Sequence, residues 1–261
     1  MKRVPDDLVG FAGRLADESG AIVKRLFRSG IGFELKRDRS PVTIADQQVE
    51  AAIRKLIGAA YPEHGVIGEE YGKDRPDADF VWVLDPIDGT KSFITGRPLF
   101  GTLIALTHEG RPLLGIIDHP ALGFGERWVG ARGHPTSMNG SPVHVRACPD
   151  PADAALFASS PHLFVGDAET AFARVRAATR QVLYGSDCYG FGLIASGFAD
   201  LQVDARLGIH DYLAAVAVIE GAGGAMSDWN GRPLTLASAD RVIASGDQTL
   251  HERVLEILSD R

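Results

Sequence analysis

The stretch Trp82-Val83-Leu84-Asp85-Pro86-Ile87-Asp88-Gly89-Thr90 constrains this chain more than any other. The apolar run from Phe80 to Leu84 reads as a buried strand, because a strand covered on both faces loses its polar alternation. It ends in two aspartates three residues apart, held by Pro86, and Gly89-Thr90 then opens a helix. A helix N-terminus attracts anions, since its first N–H groups have no intrahelical acceptor. Two carboxylates beside it would repel a phosphate unless a cation lay between them. Hard divalent cations meet that need by binding carboxylate oxygens on one side and phosphate oxygens on the other. The stretch points to metal-assisted phosphate chemistry.

The net charge of −7 agrees with that reading. With no basic run to neutralise a phosphate backbone, the charge argues against nucleic acid as a partner, and bound metal ions would answer how an acidic protein holds a small phosphate ester. No stretch approaches the length of a membrane span, and Met1-Lys2-Arg3 leads into Pro5-Asp6-Asp7 without an apolar leader core, so no membrane association is expected. Two cysteines, Cys148 and Cys188, match the usage of a reducing compartment, and a cytoplasmic protein is the expectation.

At 261 residues the chain sits where single cores begin to divide. Leu8, Phe11, Leu15, Ile22 and Leu26 predict an amphipathic helix closed by Gly30. Glu34 to Arg39 reads as a polar loop or edge strand. A second helix follows Ser40-Pro41, with Val49, Ile53 and Leu56 inward and a capping-box pattern at Thr43 and Asp46. Gly65 to Gly68 is a short strand, Thr102–Thr107 and Pro112–Asp118 form a hairpin, and Glu126 to Val129 is a further strand. The Gly- and Pro-rich region from Gly130 to Pro151 is the expected boundary between an α+β half (1–140) and an α/β half (141–261). In the second half, strands at 156–158, 181–184, 201–203 and 241–244 alternate with helices at 170–179, 189–195, 212–220 and 250–258.

Asp-Pro-Ile-Asp-Gly-Thr, preceded by Gly68-Glu69-Glu70 and followed by Ile209-His210-Asp211 and Glu220-Gly221-Ala222-Gly223-Gly224, resembles the inositol monophosphatase family. The resemblance runs from about Phe11 to Val254. It implies a layered αβαβα sandwich, Mg²⁺-dependent and lithium-sensitive phosphomonoesterase activity on a small-molecule substrate, and a homodimer. Within the family, Phe100 to Leu106 and Tyr184-Gly185-Ser186-Asp187-Cys188-Tyr189 look most like the histidinol-phosphate phosphatase branch.

The resemblance also implies a site. Glu69, Asp85, Asp88, Asp211 and the backbone carbonyl of Ile87 match the ligands of two or three Mg²⁺ ions. Glu70 reads as a neighbour of that set, and Lys36 stands near a basic position at the site entrance, although Arg37 and Arg39 beside it also fit a solvated face. Two readings of Asp211 are compatible, as helix cap and as ligand. Thr90 matches a residue that orients the attacking water, and Asp46 one that accepts a hydrogen bond from it; Asp46 as a cap with Thr43 is the other reading. Glu69, Asp85, Thr90 and Asp46 are thus the candidate catalytic group, and the N–H groups of Gly89 and Thr90 would hold phosphate oxygens.

Substrate choice falls to other residues. Asp88, Gly89, Thr90 and Asp211 face the phosphate end in this reading, while Gly185, Ser186, Asp187 and Asp204 match the wall around the alcohol half. Two carboxylates there favour the cationic amine of L-histidinol phosphate over an uncharged polyol, through charge-assisted hydrogen bonds. Asp187 as a simple helix cap is the alternative. The branch usually carries Glu where Asp204 stands, and Lys-Pro-Tyr-Asp where this chain has Gly208-Ile209-His210-Asp211, which is closer to the inositol type. An inositol-1-phosphatase or a broad sugar-phosphate phosphatase is the alternative activity.

Overall fold

The computed structural model describes residues 3–36 and 41–260. The expected positions of Arg37 and Arg39 lie outside them. From the N-terminus come α1 (Asp6–Leu26), β1 (Phe33–Leu35), β2 (Pro41–Thr43), α2 (Ile44–Ala60), β3 (Gly65–Gly68), β4 (Gly72–Asp74), β5 (Phe80–Asp88) and α3 (Thr90–Ile94). Then follow β6 (Gly101–His108), β7 (Arg111–His119), β8 (Glu126–Ala131), β9 (Ser137–Met138) and β10 (Ser141–Pro142). The rest of the chain adds β11 (Ala155–Ala158), α4 (Asp167–Ala178), β12 (Gln181–Tyr184), α5 (Tyr189–Ala195), β13 (Leu201–Asp204), α6 (Ile209–Gly221), β14 (Ala225–Asp228), β15 (Val242–Ser245) and α7 (Gln248–Ser259).

A small antiparallel pair of β1 and β2 stands apart, and two larger sheets organise the rest. The larger has the order β10-β9-β8-β7-β6-β5-β3-β4, with β3 and β5 parallel and the other neighbours antiparallel. The smaller is mixed, in the order β12-β11-β13-β15-β14. Helices α1 and α2 cover one face of the larger sheet, α5 and α6 fill the space between the sheets, and α4 and α7 cover the far face of the smaller one. This is the layered αβαβα sandwich. The middle core joins Val81, Val83 and Leu103 of the first half to Phe191, Tyr212 and Leu213 of the second.

Strand β5 shows why the apolar run is continuous. Trp82 and Leu84 point into the core under α1 and α2, while Val81 and Val83 point to the opposite core under α5 and α6. Both faces are covered, so period-2 alternation places apolar residues at every position. Asp85 therefore continues inside the strand on the α6 side instead of following its end. A regular strand would then aim Asp88 at the other face. The β5–β6 register shifts between Asp85, opposite Leu103, and Asp88, opposite Gly101, so three steps on β5 match two on β6. The extra residue sends Ile87 into the α1/α2 core and brings Asp88 back to the side of Asp85.

Helix α6 reaches this point because the sheet beneath it lacks side chains. A Cβ on Gly115 of β7 would sit 1.8 Å from the Ala214 carbonyl oxygen, and one on Gly130 of β8 would sit 2.3 Å from that of Ala217. The close approach, with Tyr212 to Ile219 buried, fixes the first turn of α6 beside the end of β5.

Some expectations change. Leu56 is 37 % exposed, and Ile57, one position on, takes the inward place in α2. Helix α4 begins at Asp167, earlier than expected, and β14 joins the smaller sheet although Ala225-Met226-Ser227-Asp228 carries little strand signal. Part of the Gly- and Pro-rich region forms β9 and β10 at the edge of the larger sheet.

Candidate active site at the end of the central strand

Three elements deliver the four carboxylates. Glu69 follows β3, Asp85 and Asp88 lie on β5, and Asp211 lies in the first turn of α6. One oxygen each from Asp85, Asp88 and Asp211 lie within 4.8 Å of one another, as do oxygens of Glu69 and Asp85 with a ring nitrogen of His210. Paired charges at such spacing repel by about 3–4 kcal/mol at an effective dielectric of ~20. The cost appears in their proton affinities. Asp85 is pushed well above the usual carboxylate range by burial and by Glu69, Asp88 and Asp211, and Asp88 by burial, Asp187 and Asp211. Burial likewise raises Asp211, with His210 partly offsetting it.

Each carboxylate is aimed by local hydrogen bonds. Asp85 Oδ1 accepts from the N–H of Ile87 at 3.0 Å, closing a turn that bends the chain around Pro86. The Thr102 hydroxyl donates to the Pro86 carbonyl at 2.8 Å from the neighbouring strand. Asp88 Oδ2 accepts from the N–H of Cys188 at 2.6 Å. Asp211 Oδ2 accepts from the N–H of Gly208 at 2.6 Å, so this residue caps α6 and still turns its carboxylate toward Asp85. The capping reading of Asp211 holds, and the capping bond leaves its carboxylate close enough to Asp85 for the ligand reading.

The Gly68-Glu69-Glu70 motif has a mechanical cause. Buried Glu50 of α2 accepts the N–H groups of Glu70 and Tyr71 at 2.8 and 3.1 Å, and a Cβ on Gly68 would overlap its carboxylate. Glu50 thereby holds the turn that presents Glu69. Lys36 donates to Glu69 at 2.7 Å and to Glu70 at 2.6 Å, which places it at the site edge. Burial lowers its proton affinity, but the two carboxylates outweigh that and raise it.

The Thr90–Asp46 hydrogen bond expected from the sequence is not made. Thr90 donates to the Ile87 carbonyl at 3.0 Å. Asp46 Oδ2 accepts the N–H and the hydroxyl of Thr43 at 2.8 and 2.7 Å, which is the capping box, while its buried Oδ1 has no partner. Local capping geometry won because Thr43 is three residues away and shares the helix start. Gly89 is left-handed (φ 82°), and a Cβ there would come within 2.9 Å of Asp187 Oδ2. The turn before α3 therefore lies directly beside Asp187.

Asp187 does not cap α5, because Cys188 occupies the cap position and makes no side-chain capping bond. Burial lifts its carboxyl to about 6, against the pull of nearby Arg97 and Lys91. Gly185 is left-handed at φ 80°, and its carbonyl accepts from Arg97. Ser186 is buried with an unpartnered hydroxyl. Asp204 needs correction. It is fully buried, and its two oxygens accept from the N–H and hydroxyl of Ser159 and from Gln202 Nε2, at 2.8 to 3.0 Å. It braces the wall instead of presenting a free carboxylate, and burial pushes it up to about 7.

His210 was not among the site residues read from the sequence. Its Nε2 lies 3.5 Å from Asp211 Oδ1, and a Cβ on Gly208 would collide with its ring. Its place one residue before an acidic ligand was the available signal.

The donor set fits a hard divalent cation. It is mostly carboxylate oxygen, it is half-buried or buried, and no arginine neutralises Asp85, Asp88 or Asp211 among the described residues.

The model of the inositol monophosphatase family matches residues 5–261. The chain is 47% identical to "Bifunctional phosphatase IMPL2, chloroplastic" of Arabidopsis thaliana, over 97% of this chain and 75% of that protein. It is 39% identical to the "Histidinol-phosphatase" of Chlorobaculum parvum, over 84% of each. A solved structure titled as an inositol monophosphatase from Zymomonas mobilis superposes with a TM-score of 0.89 at 46% identity, covering 97% of this chain and 98% of that one.

Proposed function

Since this chain belongs to the inositol monophosphatase family and is a phosphatase of that kind, we propose that it hydrolyses L-histidinol phosphate with Mg²⁺ as cofactor. Two or three ions would be held by Glu69, Asp85, Asp88, Asp211 and the Ile87 carbonyl. When bound, Mg²⁺ supplies Lewis-acid charge to the phosphate and a water acidic enough to attack phosphorus. The protein does the rest. The end of β5 fixes the carboxylates, and the N–H groups of Gly89 and Thr90 face the phosphate oxygens at the start of α3. Glu69 and Thr90 border the space from which water attacks, and Asp46 braces the start of α2 behind it.

The observation that carries the substrate is Asp187, a carboxylate at the wall beside Gly89 that caps no helix. Gly185 and Ser186 shape the same wall, and Asp204 holds it from behind. An amine held by a partly desolvated carboxylate gains about 1.5–3 kcal/mol. A second reading, inositol 1-phosphate, is favoured by the Gly208-Ile209-His210-Asp211 sequence and by the Zymomonas protein's title. The same proposal includes a homodimer and a cytoplasmic location in histidine biosynthesis, the latter supported by two buried, unpaired cysteines. Among the described residues no helix is long and apolar enough to cross a membrane.

Phosphate release from histidinol phosphate and inositol 1-phosphate, with and without Mg²⁺, tests the reading. Mg²⁺-dependent turnover should favour histidinol phosphate. Asp187→Ala should lower its kcat/KM by about tenfold to a hundredfold and leave inositol 1-phosphate nearly unchanged. Wild-type preference for inositol 1-phosphate overturns the substrate, and equal losses on both substrates make Asp187 structural.

A further inference from the structure

Behind Asp88 lies a buried pair that the proposed reaction does not use. His119, the last residue of β7, is fully buried, and Cys188, which precedes α5, is 1 % exposed. His119 Nδ1 lies 2.8 Å from the Phe100 carbonyl, and a carbonyl only accepts, so Nδ1 carries the proton. Its Nε2 is then an acceptor, and it faces Cys188 Sγ at 3.5 Å. The thiol is the donor. The same cysteine donates its backbone N–H to Asp88 Oδ2 at 2.6 Å. Burial keeps the imidazole neutral, with a pKa lowered to about 4, and also holds the thiol protonated.

The surroundings are built to admit this pair. Gly101 lies opposite Asp88 in the β5–β6 register, and a Cβ there would come within 2.9 Å of both Cys188 Sγ and His119 Cε1. The Tyr189 ring packs edge-on against His119 with centroids 5.0 Å apart, and its hydroxyl donates to Glu126 at 3.0 Å. Trp128 donates to Ser196 at the other end of α5 at 2.8 Å. The helix is therefore pinned to β7 and β8 along its length, and the thiol–imidazole contact is the pin nearest the carboxylates.

We propose that Cys188 and His119 form a positioning pair, in which the S–H···N hydrogen bond locks the start of α5 against β7 so that the Cys188 N–H holds Asp88 in its ligating orientation. No redox role fits, because the thiol is buried and the other cysteine, Cys148, is unpaired elsewhere in the molecule. The inference rests on the Mg²⁺ reading above and extends it to residues that touch neither ion nor substrate. Partners that orient a metal ligand from behind typically change metal affinity by about tenfold to a hundredfold.

The test is calorimetric titration of Mg²⁺ into substrate-free wild type, Cys188→Ala, Cys188→Val, His119→Phe and the double variant Cys188→Ala/His119→Phe, with melting temperatures alongside. Cys188→Val refills the volume without restoring a donor. The pair predicts a Mg²⁺ Kd raised about tenfold in Cys188→Ala, Cys188→Val and His119→Phe, with no further loss in the double variant. It also predicts that kcat falls more than KM rises. Wild-type affinity in Cys188→Val, whatever its melting temperature, would show that the site needs only packing and overturns the positioning role. Additive losses overturn the coupling. Failure of the wild type itself to bind Mg²⁺ is a different result, because it overturns the metal reading and the pair's role with it.

Discussion

Two populations of buried or half-buried carboxylate stand apart in this molecule. Glu50, Asp118 and Asp200 have side chains 0, 4 and 1 % exposed, and each meets an arginine: Arg54 at 2.7 Å, Arg127 at 2.8 Å and Arg146 at 2.6 Å. Asp85, Asp88 and Asp211 are gathered within 4.8 Å and meet mainly one another. In the first group the chain supplies its own counter-charge. For Asp200 this suffices to hold the carboxyl below its ordinary range, as the hydrogen bonds from Arg146 and the Ala155 N–H outweigh burial. In the second group the folded chain retains repulsion that raises proton affinity and that a bound divalent cation would relieve. The distinction lies in unrelieved crowding of like charges, not in burial itself.

The sharpest way to break this contrast is Asp85→Asn. If Asp85 is held for a cation, the variant should lose more than about a hundredfold in phosphate release, the order seen when electrostatic groups at a reaction centre are removed. The metal-free variant should also melt higher than wild type, since one repelling charge is gone. Turnover above a few per cent, or a lower metal-free melting temperature, would place Asp85 with the scaffold carboxylates. The next largest effect is expected from the opposite group. Arg54→Met strips the counter-charge from fully buried Glu50, at a cost of about 3 kcal/mol, or roughly 6–12 °C in melting temperature for a chain of this size. Loss of activity without that drop would mean Glu50 belongs to the site.

The smallest effect concerns Asp204, which has hydrogen bonds but no arginine. Its folded pKa of about 7 exceeds the ordinary value near ~3.9. The folded state then holds the proton more tightly, so stability falls as pH rises from about 4 through about 7. Asp204→Asn removes that fall. The metal-free variant should match wild type at or below about pH 4 and melt several degrees higher at pH 8. An equal offset at both pH values would show that its charge contributes nothing.

Much of this was legible in the sequence, for identifiable reasons. The run Phe80–Leu84 is buried on both faces, so composition alone revealed the strand. The capping box at Thr43 and Asp46 was readable because it spans three residues. What lay hidden depended on register and depth. An Asp-x-x-Asp pair puts its carboxylates on opposite faces of a regular strand, and only the shift opposite Leu103 and Gly101 reunites them. The bonds from Ser159 to Asp204 cross from the end of the neighbouring strand β11, which spacing from Asp211 does not disclose. Leu56 and Ile57 differ by one step on a helix, too little for periodicity to separate.

The placement of Asp211 also sets an order of assembly. Glu69, Asp85 and Asp88 leave the ribosome well before Asp211, which reaches them only once α6 lies on Gly115 and Gly130. A nascent or truncated chain carries an open bay of negative charge without the group that closes it. On the proposed metal reading, a full ligand set forms only when the second half docks, and an ion held by that set would in turn stabilise the docked state. On that reading, the last ligand to be made is the one that commits the enzyme to its ion.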